Sequence, residues 1–124
     1  MSKNILLVDD DPIFLLIATK LIGKFEVPVN ITSYHNGKLA LDFLTKNYTS
    51  SESFIVLLDI NMPVMNGWEF LDKLTNFNFY DEIEIYIVSS STDEVDIQKA
   101  GTYTNVVKFI SKPIGKEDYE DILS

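Results

Sequence analysis

Ile5-Leu6-Leu7-Val8-Asp9-Asp10-Asp11-Pro12 joins an unbroken apolar run to three consecutive carboxylates and a proline. A short Ile/Leu/Val run without polar alternation suits a strand buried on both faces. Pro12 fits the first position of a helix, where its missing N–H costs nothing. Asp11 fits the cap before it, because its side-chain oxygen can accept an orphan N–H of the first turn. The octapeptide therefore reads as strand, turn, helix, with acids where the strand ends. The pattern recurs along the chain. Residues 54–58 form a second apolar run, followed by Asp59-Ile60-Asn61-Met62-Pro63. Residues 85–88 form a third, followed by Ser89-Ser90-Ser91-Thr92. Residues 29–34 alternate, and the run 106–110 carries Lys108. Those two read as edge strands, the last one followed by Ser111-Lys112-Pro113.

Helical stripes lie between these runs. Phe14, Ile17, Ala18, Leu21 and Ile22 share one helix face. Leu39, Ala40, Phe43 and Leu44 form a second stripe, and Phe70, Leu71 and Leu74 a third. Val95, Ile97 and Ala100 suggest a short fourth helix, and Tyr119, Ile122 and Leu123 a fifth. Asn36-Gly37, Asn66-Gly67 and Lys112-Pro113 fall between elements as turn signals. Five strands alternating with five helices imply an α/β protein with a parallel sheet. Its crossovers should be right-handed, with helices on both faces. No repeat, linker or low-complexity tract interrupts the pattern, so one domain is expected over residues 1–124.

Composition narrows the function classes. The 124 residues are 46% hydrophobic and 23% charged, which is globular rather than disordered. No cysteine is present, which excludes disulfide scaffolds, thiolate zinc sites and cysteine nucleophiles. The single histidine, His35, argues against histidine-rich metal sites and is expected at the surface. The net charge is −9 and every basic residue is lysine, so direct contact with nucleic acid or an anionic membrane is not expected. The start of the chain does not resemble a signal peptide, and no apolar run approaches the ~20 residues that cross a bilayer. A cytoplasmic protein, monomeric or weakly dimeric, is the expectation.

In open parallel sheets, ligands sit beyond the C-terminal ends of the strands. If strands one and three are neighbours, Asp9, Asp10 and Asp59 converge there. At ~5 Å and an effective dielectric of ~20, each pair repels by about 3 kcal/mol. Such a cluster needs a cation or must take up protons. Oxygen ligands without His or Cys point to Mg²⁺ rather than Zn²⁺. A hydroxyl and a lysine across the pocket, Ser89 and Lys112, suggest a bound phosphoryl group. Taken singly, each residue has an ordinary reading: a cap for Asp11, turn chemistry for Ser89, a surface cation for Lys112. Joined in one constellation, they favour function.

These residues resemble the response-regulator receiver domains of two-component signalling, of the chemotaxis-regulator type. The resemblance runs from Lys3 to about Leu123. It is carried by Leu6-Leu7-Val8-Asp9-Asp10-Asp11-Pro12, by the stretch from Val56 to Gly67 around Asp59, by Tyr86-Ile87-Val88-Ser89-Ser90-Ser91 and by Phe109-Ile110-Ser111-Lys112-Pro113. It implies a flavodoxin-like (βα)5 fold with strand order 2-1-3-4-5. Asp59 then resembles the phosphoacceptor, Asp10 a direct Mg²⁺ ligand and Asp9 one acting through water. Asn61 would offer its backbone carbonyl to the metal. Ser89 and Lys112 would contact the phosphoryl group, and a cis bond would precede Pro113. Phe109 resembles the aromatic switch residue of a face built from helix four, strand five and helix five. Asn61 and Ser91 would tune the lifetime of the phosphorylated state. The implied partners are a sensor histidine kinase or histidine phosphotransfer protein as donor, and a downstream protein target. The chain would catalyse only its own phosphorylation and dephosphorylation, with no output domain attached.

Three other readings stay open on sequence alone. Asp9 and Asp11, with Ser89 and Lys112, also resemble the haloacid-dehalogenase phosphatase arrangement, although Asp59 then lacks a role and no cap domain is present. A flavin carrier of the same fold conflicts with three carboxylates where a phosphate would sit. A receiver-like adaptor that no longer uses the chemistry is the third. The extra apolar residues of helix one, Ile13, Leu15 and Leu16, point either to deeper burial or to a partner surface.

Overall fold

A computed structural model describes residues 3–124. Strand β1 spans Lys3–Val8, β2 Val29–Tyr34, β3 Ser53–Leu58, β4 Ile83–Ser89 and β5 Val106–Ser111. Helix α1 spans Pro12–Gly23, α2 Gly37–Asn47, α3 Gly67–Leu74, α4 Glu94–Ala100 and α5 Lys116–Leu123. A short 3₁₀ turn, Tyr80–Glu82, precedes β4. All strand pairs are parallel, and the order across the sheet is β2-β1-β3-β4-β5. The three continuous apolar runs occupy the three central strands, and the two mixed runs form the edges, as expected. Burial on both faces explains this: only a strand covered above and below gains from apolar side chains at every position.

Successive residues of each central strand feed opposite cores. Leu6, Val8, Val56 and Leu58 pack with α2, α3 and Ala100 of α4. Ile5, Leu7, Ile55 and Leu57 pack with α1 and α5. The register sets Val8 beside Leu58, so the residues that follow, Asp9 and Asp59, emerge side by side at the same edge.

Three helix faces differ from the expected stripes. In α1 the buried positions are Ala18 and Ile22, with Leu15 partly buried, while Ile17 is exposed with Ile13 and Leu16. In α2, Leu41 is buried and Leu39 exposed. Every residue from 13 to 18 is apolar, so the periodicity has no unique phase there. In α4 only Ala100 is buried, and Val95 and Ile97 face outward. The stripes of α3 and α5 are as read. His35 is exposed. No helix among the described residues is long and apolar enough to cross a membrane.

Candidate functional site

Backbone hydrogen bonds fix the floor of the site. The Asp9 N–H donates to the Tyr34 carbonyl at 3.0 Å, and the Asp59 N–H donates to the Val8 carbonyl at 2.9 Å. These continue the ladders one step past the strands and lock the two acids together. Oxygens of Asp9, Asp10 and Asp59 all lie within 4.8 Å of one another. Asp9 and Asp59 are buried, and Asp10 is exposed. Asp11 does what its place before Pro12 suggests, accepting from the Ile13 N–H at 3.0 Å as the cap of α1.

The local geometry of Asp59 depends on two glycines. The Gly67 N–H donates to the Ile60 carbonyl at 2.8 Å, and the Gly37 N–H donates to the Met65 carbonyl at 3.0 Å. A Cβ on Gly67 would stand 2.5 Å from the Asp59 carbonyl oxygen, so only glycine fits. Asn66 caps α3 in a reciprocal capping box with Glu69. Between these anchors Val64 takes a left-handed conformation, φ 67°, and the Met65 N–H donates back to the Pro63 carbonyl at 2.7 Å. The whole 59–67 loop is thus tied at both ends and folded tightly in the middle.

The acids are not left bare. Lys112 Nζ lies 2.7 Å from Asp9 Oδ2 and 4.6 Å from the centre of the Phe14 ring. The Lys112–Pro113 bond is cis, as the resemblance implied. Asp59 Oδ1 accepts from the Ile60 N–H at 2.9 Å. Burial, and then the negative charge of Asp9, push the Asp59 carboxyl from 3.8 up to about 6, against smaller opposing effects of Lys112 and backbone N–H groups. Ionising Asp59 therefore costs desolvation first and repulsion from Asp9 second.

Ser89 ends β4, fully buried, and its Oγ accepts from the Ser91 N–H at 3.1 Å. Ser91 is half-buried; its hydroxyl donates to Asp96 Oδ2 at 2.8 Å and accepts from the Asp93 N–H at 3.2 Å. Asn61 is exposed beside the acids. Phe109 is half-buried against the α2–α3 side of the core. Trp68, in the first turn of α3, stacks on Tyr103 with ring centres 6.0 Å apart, and Lys99 Nζ lies 4.6 Å above it. The Tyr103 hydroxyl donates to Asp72 at 2.6 Å, which ties the end of α4 to α3.

The close packing of Gly67 on the Asp59 carbonyl and the bond from Ser91 to Asp96 were not anticipated from sequence. Asn66-Gly67 signalled a turn, but no one-dimensional pattern says what the turn packs against. The five-residue gap from Ser91 to Asp96 carries no motif.

The profile of the response regulator receiver domain family matches residues 5–124. A chemotaxis protein CheY homolog of Campylobacter jejuni is 29% identical over 123 residues, covering 97% of this chain and 92% of the relative. The 3',5'-cyclic-nucleotide phosphodiesterase regA of Dictyostelium discoideum is 29% identical over 116 residues, where this chain spans only 14% of that protein. Among solved structures, a two component response regulator from Cytophaga hutchinsonii superposes with a TM-score of 0.87 at 30% identity, covering 98% of this chain and 93% of its own.

Proposed function

Because this chain belongs to the response regulator receiver domain family, we propose that it is a switch whose Asp59 takes a phosphoryl group from a sensor histidine kinase or a histidine phosphotransfer protein. The observation that carries this reading is the set of three carboxylates within 4.8 Å, one of them paired with Lys112, at the same strand ends as the buried Ser89. A phosphatase of the Asp9/Asp11 kind is disfavoured, because Asp11 is engaged as the α1 cap.

The donor set fits Mg²⁺. It consists of hard oxygens only, and three carboxylates meet where one lysine reaches them. Asp9, Asp10 and Asp59 would hold the ion, with the backbone carbonyl of Asn61. When bound, Mg²⁺ supplies positive charge that screens the nucleophile from the phosphoryl oxygens.

A carboxylate oxygen of Asp59 attacks phosphorus as the bond to the donor's imidazole nitrogen breaks. The product is an acyl phosphate on Asp59 and a histidine returned to its neutral form. The Lys112 ammonium and the Ser89 hydroxyl donate to the phosphoryl oxygens and stabilise the charge that gathers there. Attack of water at phosphorus later breaks the mixed anhydride and restores the carboxylate. Asn61 and Ser91, two residues beyond Asp59 and Ser89, flank that approach and tune the lifetime. The chain catalyses only these two reactions on itself.

Switching is a population shift, since the phosphoryl group binds one arrangement better than the other. Ser89 turns toward it, Phe109 fills the space released, and the face of α4, β5 and α5 is remodelled for a protein target. That face exposes Val95, Ile97 and Val107. The donor would approach along α1, which starts beside the acids and exposes Ile13, Leu16 and Ile17 at helical spacing. Such partners place the protein in the cytoplasm, and its charge keeps it off nucleic acid.

Intact mass after incubation with acetyl phosphate tests the reading. The expected result is a single phosphoryl adduct that requires Mg²⁺ and is absent in Asp59→Asn. An adduct that survives Asp59→Asn but not Asp9→Asn would instead establish the phosphatase-like chemistry, and no adduct under any condition would leave an adaptor.

A further inference from the structure

We propose that Asp96 is a positioning residue for phosphoryl transfer, holding the loop after β4 so that Ser89 presents its hydroxyl proton to the phosphoryl group. The proposal rests on the phosphoacceptor reading of Asp59. It starts from the hydrogen bonds of Ser89, which is fully buried. One lone pair of its Oγ is taken by the Ser91 N–H at 3.1 Å. Among the described residues, nothing accepts the Ser89 proton. A buried hydroxyl with one lone pair engaged and its proton uncommitted is free to donate to an incoming oxygen.

The Ser91 N–H that engages Ser89 Oγ is itself placed by the bonds of the Ser91 side chain. The Ser91 hydroxyl gives its only proton to Asp96 Oδ2 at 2.8 Å. It also accepts from the Asp93 N–H at 3.2 Å, and the Asp93 side chain in turn caps α4 through the Val95 N–H at 3.0 Å. The polar path runs from Asp96 to Ser91 to Ser89. Apolar packing cannot substitute for it. In α4 only Ala100, at the far end, is buried, and Val95 in the first turn is exposed. The start of α4 and the 89–93 loop are therefore held together by these bonds. Asp96 stands at the third position of α4, yet makes no capping-box bond: the Asp93 N–H goes to Ser91 Oγ instead.

The experiment follows adduct formation by intact mass under acetyl phosphate, with Mg²⁺ affinity and melting temperature measured on the same samples. Asp96→Ala should slow transfer about three- to tenfold, the scale of one hydrogen bond. Mg²⁺ affinity and the acetyl phosphate concentration at half-maximal rate should not change. Asp96→Asn, whose side-chain carbonyl can accept the same Ser91 bond, should recover most of the rate. Ser91→Ala should reproduce the loss, and Ser91→Ala with Asp96→Ala should be no slower than Ser91→Ala alone. Transfer at the wild-type rate in Asp96→Ala, or additive losses in the double variant, would overturn the proposal while leaving the acceptor role of Asp59 intact. A wild-type chain that takes no phosphoryl group would remove the reading underneath it.

Discussion

Lys112 Nζ sits 2.7 Å from Asp9 Oδ2, so the one cation of the site is engaged with an acid that is 1% exposed. Removing it strands a buried carboxylate. We expect Lys112→Ala to destabilise the metal-free protein by about 2–3 kcal/mol, below the range for fully buried pairs because the lysine is partly exposed. Saturating Mg²⁺ should recover much of that loss by taking over the compensation. Urea unfolding with EDTA and with Mg²⁺ checks this; an equal loss in both would mean that Lys112 contributes packing rather than charge.

Asp59 carries the second prediction. Its carboxyl is raised from 3.8 to about 6, so the folded state binds the proton more tightly than the unfolded chain. Above pH 6 the folded form bears an ionised, buried group beside Asp9, and stability is reduced. As pH falls through 6 toward 4 the penalty disappears. In metal-free protein Asp59→Asn should therefore be more stable than wild type at pH 8, by up to about 3 kcal/mol, because each tenfold gain in proton affinity on folding corresponds to ~1.4 kcal/mol. The two should melt alike at pH 4. A pH series of melting curves decides it, and a constant offset between them would contradict the sign.

Gly67 leaves no space for a side chain. Its Cβ would meet the Asp59 carbonyl oxygen at 2.5 Å and the Ile60 Cα at 2.9 Å, both backbone atoms. Gly67→Ala should cost about 2 kcal/mol or more, because relief requires moving the loop. Mg²⁺ affinity should fall with it, since the same loop carries Asp59 and Asn61. Unchanged Mg²⁺ affinity in a folded Gly67→Ala protein would show that the loop adapts without disturbing the acids.

Val64 is the opposite case. It is 75% exposed and β-branched, yet holds φ 67°. The left-handed region is costly for such a side chain, while asparagine enters it readily. Val64→Asn should stabilise by about 0.5–1 kcal/mol, with the rate of phosphoryl uptake preserved. Calorimetric melting is the check, and a lower melting point would mean that Val64 makes contacts that outweigh its strain.

Much of this protein is legible in its sequence. The runs 5–8, 54–58 and 85–88 marked central strands, because only double-sided burial accepts an apolar residue at every position. The Asp11-Pro12 cap and the turns at Asn36-Gly37 and Asn66-Gly67 set the helix starts, because capping is decided within a few residues of chain. The nearness of Asp9 to Asp59 was legible because each directly follows an apolar run read as a neighbouring strand. Less was legible where pattern alone cannot choose. In α1 the expected stripe includes Ile17, which is exposed, since a helix that is apolar all round its first turns has no phase until it meets the sheet.

The sequence by itself determined the alternation of strands and helices and the acids, hydroxyl and lysine at their ends, because those are properties of short segments. Only the tertiary structure decided the pairings across 103 residues from Lys112 to Asp9, the seat of Gly67 on the Asp59 carbonyl and the hold of Asp96 on Ser91. Local propensity acts over a few residues. Partners at a site are chosen by the register of strands and the docking of helices, which arise only when the whole core closes.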